Sequence, residues 1–209
     1  MTAPLRIGLV DTGVNPWHSH VRGKVSGCRI LLGADGTVRE DGDFRDPVGH
    51  GTAVAGVIRE AFPDAEIYAV RVFLAAETTF PSLVARGILR AAAARCEFVN
   101  VSLALPPGPG ADVLVAACVA VIEAGCVVVA PARTDRPAWL PAAIPGVHAV
   151  FADDTLVFGE VRARGPWQLA APGRPRNLAS VARENNLCGP SFACVRALVH
   201  LAQQARAAV

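Results

Sequence analysis

Short apolar runs and longer amphipathic segments alternate along this chain. Runs of four to eight apolar or β-branched residues, bounded by turn-forming residues, are typical of buried strands. Apolar residues that recur every three or four positions are typical of helices that bury one face. The short runs predict strands at 6–11, 25–32, 67–74, 98–103 and 126–130, with a further extended piece at 168–173.

The amphipathic segments predict four helices, the first of which begins near His50. Segments rich in Gly, Pro and charged residues separate the elements and predict surface loops at 33–47 and 174–186. Residues 131–146 are Pro-rich and irregular, and 147–158 predicts two short strands around Asp153 and Asp154. The helices are expected at 49–61, 81–96, 111–124 and 191–207.

The repeated alternation of strands and helices favours one fold class. It predicts an α/β protein with a doubly wound, mostly parallel sheet and helices on both faces. With 209 residues and no internal repeat, the chain is expected to form a single minimal domain over 1–209.

Composition narrows the range of partners. Hydrophobic residues make up 52% of the chain and charged residues 18%, which argues against disorder. The net charge is only +2 and the arginines are scattered, so we expect no nucleic-acid or membrane partner. The first apolar run is too short for the core of a signal peptide. We therefore expect no signal peptide, no prosegment and a cytoplasmic location.

Six cysteines are present, and none lies in a C-x-x-C pair. We interpret them as small buried thiols without disulfides. The group His18, His20 and Cys28 is a weak metal candidate, and Asp41, Asp43 and Asp46 are weak candidates for calcium ligands, because neither group has a recognisable pattern of ligands. We expect no metal and no cofactor.

Three polar residues stand where predicted elements begin or end. Asp11 closes the first strand, His50 opens the first helix, and Ser191 opens the last. Taken singly, each is better explained as a turn residue or a helix-end residue. Together they are the residue types of a serine nucleophile, its histidine base and the carboxylate that orients the base.

Several motifs around these residues resemble those of the subtilisin-like serine peptidases, the subtilases. The resemblance implies that Asp11, His50 and Ser191 form a catalytic triad that cleaves peptide bonds through an acyl-enzyme. The matching segments are Val10-Asp11-Thr12-Gly13-Val14, Gly49-His50-Gly51-Thr52-Ala53-Val54-Ala55-Gly56, Asn100-Val101-Ser102-Leu103-Ala104, Ala171-Pro172-Gly173 and Gly189-Pro190-Ser191-Phe192-Ala193.

The resemblance also implies where a substrate binds. An extended peptide would pair with Ser102, Leu103 and Ala104 as an added strand. The facing wall would be Pro131, Ala132 and Arg133, and Asp46 would border the cleft. Trp139 aligns with the floor of the pocket for the residue before the cut, so we expect a small residue there.

The chain departs from the family pattern near the serine. The family's oxyanion asparagine is replaced by Thr134, or by Arg133 if the alignment shifts by one residue. Pro190 stands where the family has threonine, and Val195 where it has proline. These changes predict slow turnover, which suits an enzyme with a dedicated substrate.

Minimal subtilases of this kind resemble maturation peptidases that remove a leader from a ribosomally made, modified peptide. We expect a dedicated precursor peptide as substrate. The alternative is an inactive pseudopeptidase that binds an extended peptide as a maturation chaperone. The triad favours the enzyme, whereas the missing asparagine favours the binder. The sequence does not determine the oligomeric state.

Overall fold

A computed structural model describes residues 4–74, 78–176 and 186–208 of the protein. Nine strands and four helices are present in these residues. The strands are β1 (Arg6–Asp11), β2 (Val25–Leu32), β3 (Val38–Asp41), β4 (Glu66–Arg71), β5 (Phe98–Val101), β6 (Val127–Ala132), β7 (His148–Ala152), β8 (Arg162–Gly165) and β9 (Gln168–Ala171). The helices are α1 (His50–Ala61), α2 (Pro81–Ala93), α3 (Ala111–Glu123) and α4 (Pro190–Ala207).

All nine strands form one sheet in the order β3-β2-β4-β1-β5-β6-β7-β9-β8. The inner strands are parallel, and only β3 and β8, at the two edges, pair antiparallel with their neighbours. The order departs from chain order in three places: β1 lies between β4 and β5, and β3 and β8 lie outside β2 and β9 at the two edges. The predicted mostly parallel α/β fold is confirmed.

Two hydrophobic layers lie on opposite faces of the sheet. Helices α1 and α4 pack together on one face, where Ile7, Leu9 and Phe98 meet Phe192 and Leu198. Helices α2 and α3 cover the other face. Strands that are buried on both faces need apolar residues at nearly every position, as β1 has. This explains why the central strands appear as continuous apolar runs.

Strand β3 corrects the prediction of a loop over 33–47. Its four residues are Val38, Arg39, Glu40 and Asp41, and all four are exposed. An edge strand of this kind has no apolar periodicity to reveal it. It is held by backbone pairing with β2 and by the ion pair between Arg29 and Asp41.

The prediction for 147–158 was wrong in its second half. Only β7 forms there, and Asp153 and Asp154 lie in the turn that follows it. Asp153 binds the backbone and hydroxyl of Thr155, which stabilises that turn. The second strand, β8, begins at Arg162 instead. The helix predicted over 81–96 ends at Ala93, two residues before the positive φ of Arg95 at 61°.

The six cysteines are all free. Four are buried as predicted, Cys126 is half-buried, and Cys188 is exposed, which corrects the prediction for that residue. The described residues contain no cluster of three His, Cys, Asp or Glu side chains suited to a metal ion. Among the helices of the described ranges, none combines the length and the apolar character that a membrane crossing requires.

Candidate active site

The carboxyl ends of the parallel strands form the edge of the sheet where the candidate residues gather. Strand β1 ends in Asp11, and Ser102 immediately follows β5. The backbone N–H of Ser102 donates to the carbonyl of Val10 at 3.1 Å, so β1 and β5 end side by side. Polar groups that follow parallel strands share one edge, which is where such sheets place their sites.

Asp11 and His50 form a close pair at this edge. His50 Nδ1 lies 2.8 Å from one carboxylate oxygen of Asp11 and 3.1 Å from the other. Because a carboxylate only accepts, Nδ1 carries the hydrogen and Nε2 is left as an acceptor. Asp11 is fully buried and also accepts from the backbone N–H of Thr12 at 2.6 Å. The buried carboxylate therefore fixes both the tautomer and the orientation of the imidazole.

The electrostatic surroundings raise the pKa of His50 above its ordinary value. Burial alone would lower this pKa, because it disfavours the imidazolium. The charge of Asp11, its hydrogen bond and the charge of Asp46 outweigh burial. His50 is consequently a stronger base than a free imidazole.

Helix α1 brings His50 to Asp11 through a close backbone contact. A Cβ on Gly51 would lie 2.1 Å from the carbonyl oxygen of Gly13 and 3.1 Å from Cβ of Asp11. Only glycine fits at that distance. Gly49, the residue before the helix, has a φ of 97°, which is a conformation that favours glycine. The glycines on both sides of His50 thus let the helix start directly against the end of β1.

Asp46, which was predicted to border the substrate cleft, forms hydrogen bonds with Thr12 and with the first turn of α1. Its side chain is buried, and its carboxylate is occupied by the first turn of α1. One oxygen accepts from the N–H groups of Val48 and Gly49 and from the Thr12 hydroxyl, at 2.8–3.0 Å. The other accepts from the N–H and hydroxyl of Thr52 at 2.8 and 2.7 Å. Asp46 therefore joins the segment after Asp11 to the start of the helix that carries His50.

Ser191 lies in the first turn of α4, and this turn contacts the histidine through the next residue. The ring of Phe192, the following residue, lies 5.3 Å from the His50 ring between centroids. The Ser191 hydroxyl donates to the carbonyl of Ser102 at 3.3 Å. Within the described ranges, no hydrogen bond joins Ser191 to His50, and the Ser191 N–H donates to no backbone carbonyl. A free N–H at a helix start is a ready donor for an anion.

The two residues predicted for the oxyanion site lie in the turn after β6. Arg133 is held by Asp135, with two nitrogen–oxygen distances of 3.0 and 2.9 Å. Thr134 is exposed, and in the described part of the chain its hydroxyl has no hydrogen bond. The Arg133 guanidinium already donates to Asp135, whereas the Thr134 hydroxyl is available to donate to an oxyanion.

A groove of about 550 Å³ is lined by part of the predicted substrate walls, whereas Ser102 and Leu103 are buried and do not line it. Backbone hydrogen bonds of 2.8 Å in both directions join Leu105 to Leu140 and hold the two walls together. Ser102 is further held by the buried amide of Asn100 at 2.6 Å. The lining includes Ala104, Pro131, Ala132, Arg133, Thr134 and Trp139 from the predicted set.

Trp139 lies at the side of this groove, under the guanidinium of Arg136, which is 4.3 Å from the ring centroid. The groove continues past it to Phe151, Arg164 and Trp167. These distal residues were not predicted from the sequence. Their only signal was an unusual density of Arg and Trp in otherwise apolar segments, which does not reveal a shared surface.

Comparisons with known proteins identify the family and the fold. The model of the subtilase family matches residues 4–140. No curated protein matches the chain by sequence. The fold is similar to that of a cold-adapted subtilisin-like serine proteinase, with a TM-score of 0.73 and 22% identity over 97% of this chain and 76% of that chain.

Two structures of maturation enzymes are also similar. For the prenylagaramide maturation protease PagA, the TM-score is 0.69 and the identity 20%, over 98% of this chain and 78% of that chain. For the epidermin leader peptide processing serine protease EpiP of Staphylococcus aureus, the values are 0.71 and 18%, over 95% and 64%. At these identities the likeness concerns the fold.

Proposed function

This chain belongs to the subtilase family of serine endopeptidases, and we propose that Asp11, His50 and Ser191 are the triad with which it removes a leader from a dedicated precursor peptide. The observation that carries the proposal is the contact between the buried Asp11 carboxylate and the half-buried His50, beside the first turn of α4. A serine hydroxyl becomes a nucleophile only when such an oriented base is within reach.

The reaction is an acyl transfer in two halves. Ser191 attacks the peptide carbonyl as His50 Nε2 takes the hydroxyl proton, and Asp11 stabilises the imidazolium that forms. His50 then gives the proton to the leaving amine, and water repeats the sequence on the acyl-enzyme. For the first step the Ser191 hydroxyl must leave the Ser102 carbonyl, to which it donates at 3.3 Å, and donate to His50 Nε2.

The oxyanion is held by the free N–H of Ser191 together with Thr134. Helix α4 contributes the positive end of its dipole at the same point. Loss of the usual asparagine removes one strong donor, and in subtilisin such a loss costs about 10²–10³ in rate. We expect slow turnover on generic peptides.

The substrate lies extended between the two walls of the groove. Ser102, Leu103 and Ala104 pair with its backbone, and Pro131 and Ala132 face it. Trp139 narrows the pocket for the residue before the cut, which favours glycine, alanine or serine there. A peptide library would overturn this preference if phenylalanine or leucine were cleaved faster.

Leader removal is supported by the similar structures, since PagA is a maturation protease and EpiP a leader peptide processing protease. The altered oxyanion region of this chain also resembles that of the leader peptidase of quinohemoprotein amine dehydrogenase maturation. A short precursor of that kind is therefore the first substrate to test.

The test is cleavage of unmodified and modified precursor peptides, followed by mass spectrometry of the products. We expect one cut after a small residue, and none with the Ser191→Ala variant. The alternative, a peptide-binding pseudopeptidase, is favoured by the exposed Thr134 and the occupied Arg133. Binding of the precursor by the wild-type protein without any cut would support that alternative and contradict the proposal.

A further inference from the structure

The groove beyond Trp139 has a chemistry of its own. The lining of the whole groove contains three arginines, two tryptophans and one phenylalanine, and no Asp or Glu occurs among its described lining residues. Helix α4 packs on the opposite face of β7 and β9, so this side of these strands is open. A cationic, aromatic groove is complementary to a peptide that carries carboxylates.

Two of the arginines are fixed against aromatic rings. The guanidinium carbon of Arg164 lies 4.4 Å from the Phe151 ring centroid, and that of Arg136 lies 4.3 Å from the Trp139 ring centroid. Stacking of this kind orients the guanidinium plane while its N–H edges remain free to bind a carboxylate with two hydrogen bonds.

Neighbouring carboxylates leave these arginines largely uncompensated. Asp135 pairs with Arg133 at 2.9 Å and reaches Arg136 only at 3.8 Å. On the other side, Asp153 pairs with Arg162 at 3.6 Å and interacts more weakly with the charge of Arg164. In the described part of the chain, Arg164 forms no ion pair. Arginines therefore outnumber carboxylates around the distal end of the groove, which has a net positive charge.

We propose that the distal groove, formed by Arg136, Phe151, Arg164 and Trp167, binds an acidic segment of the peptide substrate. This proposal rests on the proposed function only in that the segment belongs to the substrate. The near end of the groove receives the small residue before the cut, and the distal end selects the precursor by its charge. Such an arrangement gives a slow enzyme its specificity through binding contacts remote from the cut.

Binding can be tested without catalysis in the Ser191→Ala variant. Fluorescence anisotropy would compare equal-length labelled peptides that carry glutamates, or glutamines at the same positions. We expect the glutamate peptide to bind about tenfold more tightly, with the difference lost at high salt. The substitution Arg164→Gln should weaken its binding about threefold to tenfold, whereas Arg164→Lys should restore part of the loss.

Arg162 provides the matched control. It lies on the same strand, carries the same charge and is absent from the groove lining. Arg162→Gln should leave binding unchanged. Equal binding of the two peptides, or an equal loss in the Arg162 variant, would overturn the proposal. The glutamate peptide could bind as expected while the wild-type protein cleaves no peptide. That result would support the acidic-peptide site and contradict the proposed function.

Discussion

Nδ1 of His50 lies 2.8 Å from Oδ1 of Asp11, and the Asp11 carboxylate is completely buried. A buried carboxylate with this partner holds the imidazole in one tautomer and favours its protonated form. The contact between Asp11 and His50 depends on Gly51, which packs against the carbonyl of Gly13 with no room for a side chain. The geometry of the pair is therefore built into the backbone.

Removing the charge of Asp11 should abolish most of the activity. Asp11→Asn leaves the size of the side chain unchanged but offers His50 an amide, which favours the wrong tautomer. We expect kcat to fall about 10⁴-fold, the loss that serine-protease triads show on this substitution, with KM nearly unchanged. Steady-state kinetics on a cleavable peptide measure both constants. An increase in KM with kcat unchanged would show that Asp11 acts only in substrate binding.

Asp46 should influence the pH dependence of the reaction. Activity requires neutral His50, and the charge of Asp46 helps raise the pKa of His50. Asp46→Asn should therefore lower this pKa and move the acid limb of kcat/KM to lower pH. Asp43→Asn, in the same loop but outside the surroundings of His50, is the control. An unmoved acid limb in the Asp46 variant would refute this coupling.

The same substitution should also destabilise the protein. Burial alone would raise the pKa of Asp46, but hydrogen bonds from Thr52, Gly49 and Val48 lower it overall. A carboxyl whose folded pKa is lowered stabilises the fold above its unfolded pKa, and this stability is lost as pH falls through the folded pKa. We expect Asp46→Asn to cost about 1–3 kcal/mol at neutral pH. Chemical denaturation should show the difference from wild type shrinking at acid pH.

Gly51→Ala should damage both stability and catalysis. The added methyl group would meet backbone atoms at 2.1 Å, so α1 must shift away from β1. We expect a loss of about 1–3 kcal/mol in the free energy of unfolding and a lower kcat, because His50 moves with the helix. A Cβ on Gly42 would meet no atom within 4 Å, so Gly42→Ala is the matched control. Equal unfolding free energies for the two variants would contradict the close contact.

Thr134→Asn tests the weakened oxyanion site. If Thr134 occupies the position of the missing donor, asparagine should raise kcat about tenfold or more without changing KM. Thr134→Val, which keeps the shape and removes the hydroxyl, should lower kcat instead. If both variants match the wild type while Arg133→Ala is slow, Arg133 is the donor.

Trp139→Gly tests the preference for a small residue before the cut. Removal of the indole enlarges the groove beside Ala104, so phenylalanine and leucine should become acceptable at that position. Trp17 is 65% exposed and outside the groove, which makes Trp17→Gly a suitable control. A peptide library profile that is the same for wild type and the Trp139 variant would remove Trp139 from the pocket.

Much of the architecture follows from local patterns. The apolar runs of the inner strands and the spacing in the helices specify a parallel sheet because burial on two faces demands those residues. Strand β3 was not predicted because its four residues are all exposed, so an apolar pattern is not required there. The motifs around Asp11, His50 and Ser191 could be found because the chemistry needs fixed residue types next to element ends.

The features that could not be predicted depend on contacts between segments that are distant in sequence. The sequence gives Asp46 the appearance of a surface loop residue, yet it is buried by hydrogen bonds to Thr12, 34 residues away, and to Thr52. The distal groove brings together the segments around Arg136, Phe151 and Trp167, whose proximity only the sheet order reveals. Exposure of Cys188 likewise depends on how the chain enters α4.

Labelling with a fluorophosphonate probe tests the central claim most directly, because such probes react with a serine only where a base has activated it. We predict that the wild-type protein is labelled and that peptide mass spectrometry locates the adduct on Ser191. Ser191→Ala should remain unlabelled, and Asp11→Asn should react much more slowly. A folded wild-type protein that does not react, or an adduct on another serine, would contradict the assignment of Asp11, His50 and Ser191 as a working triad.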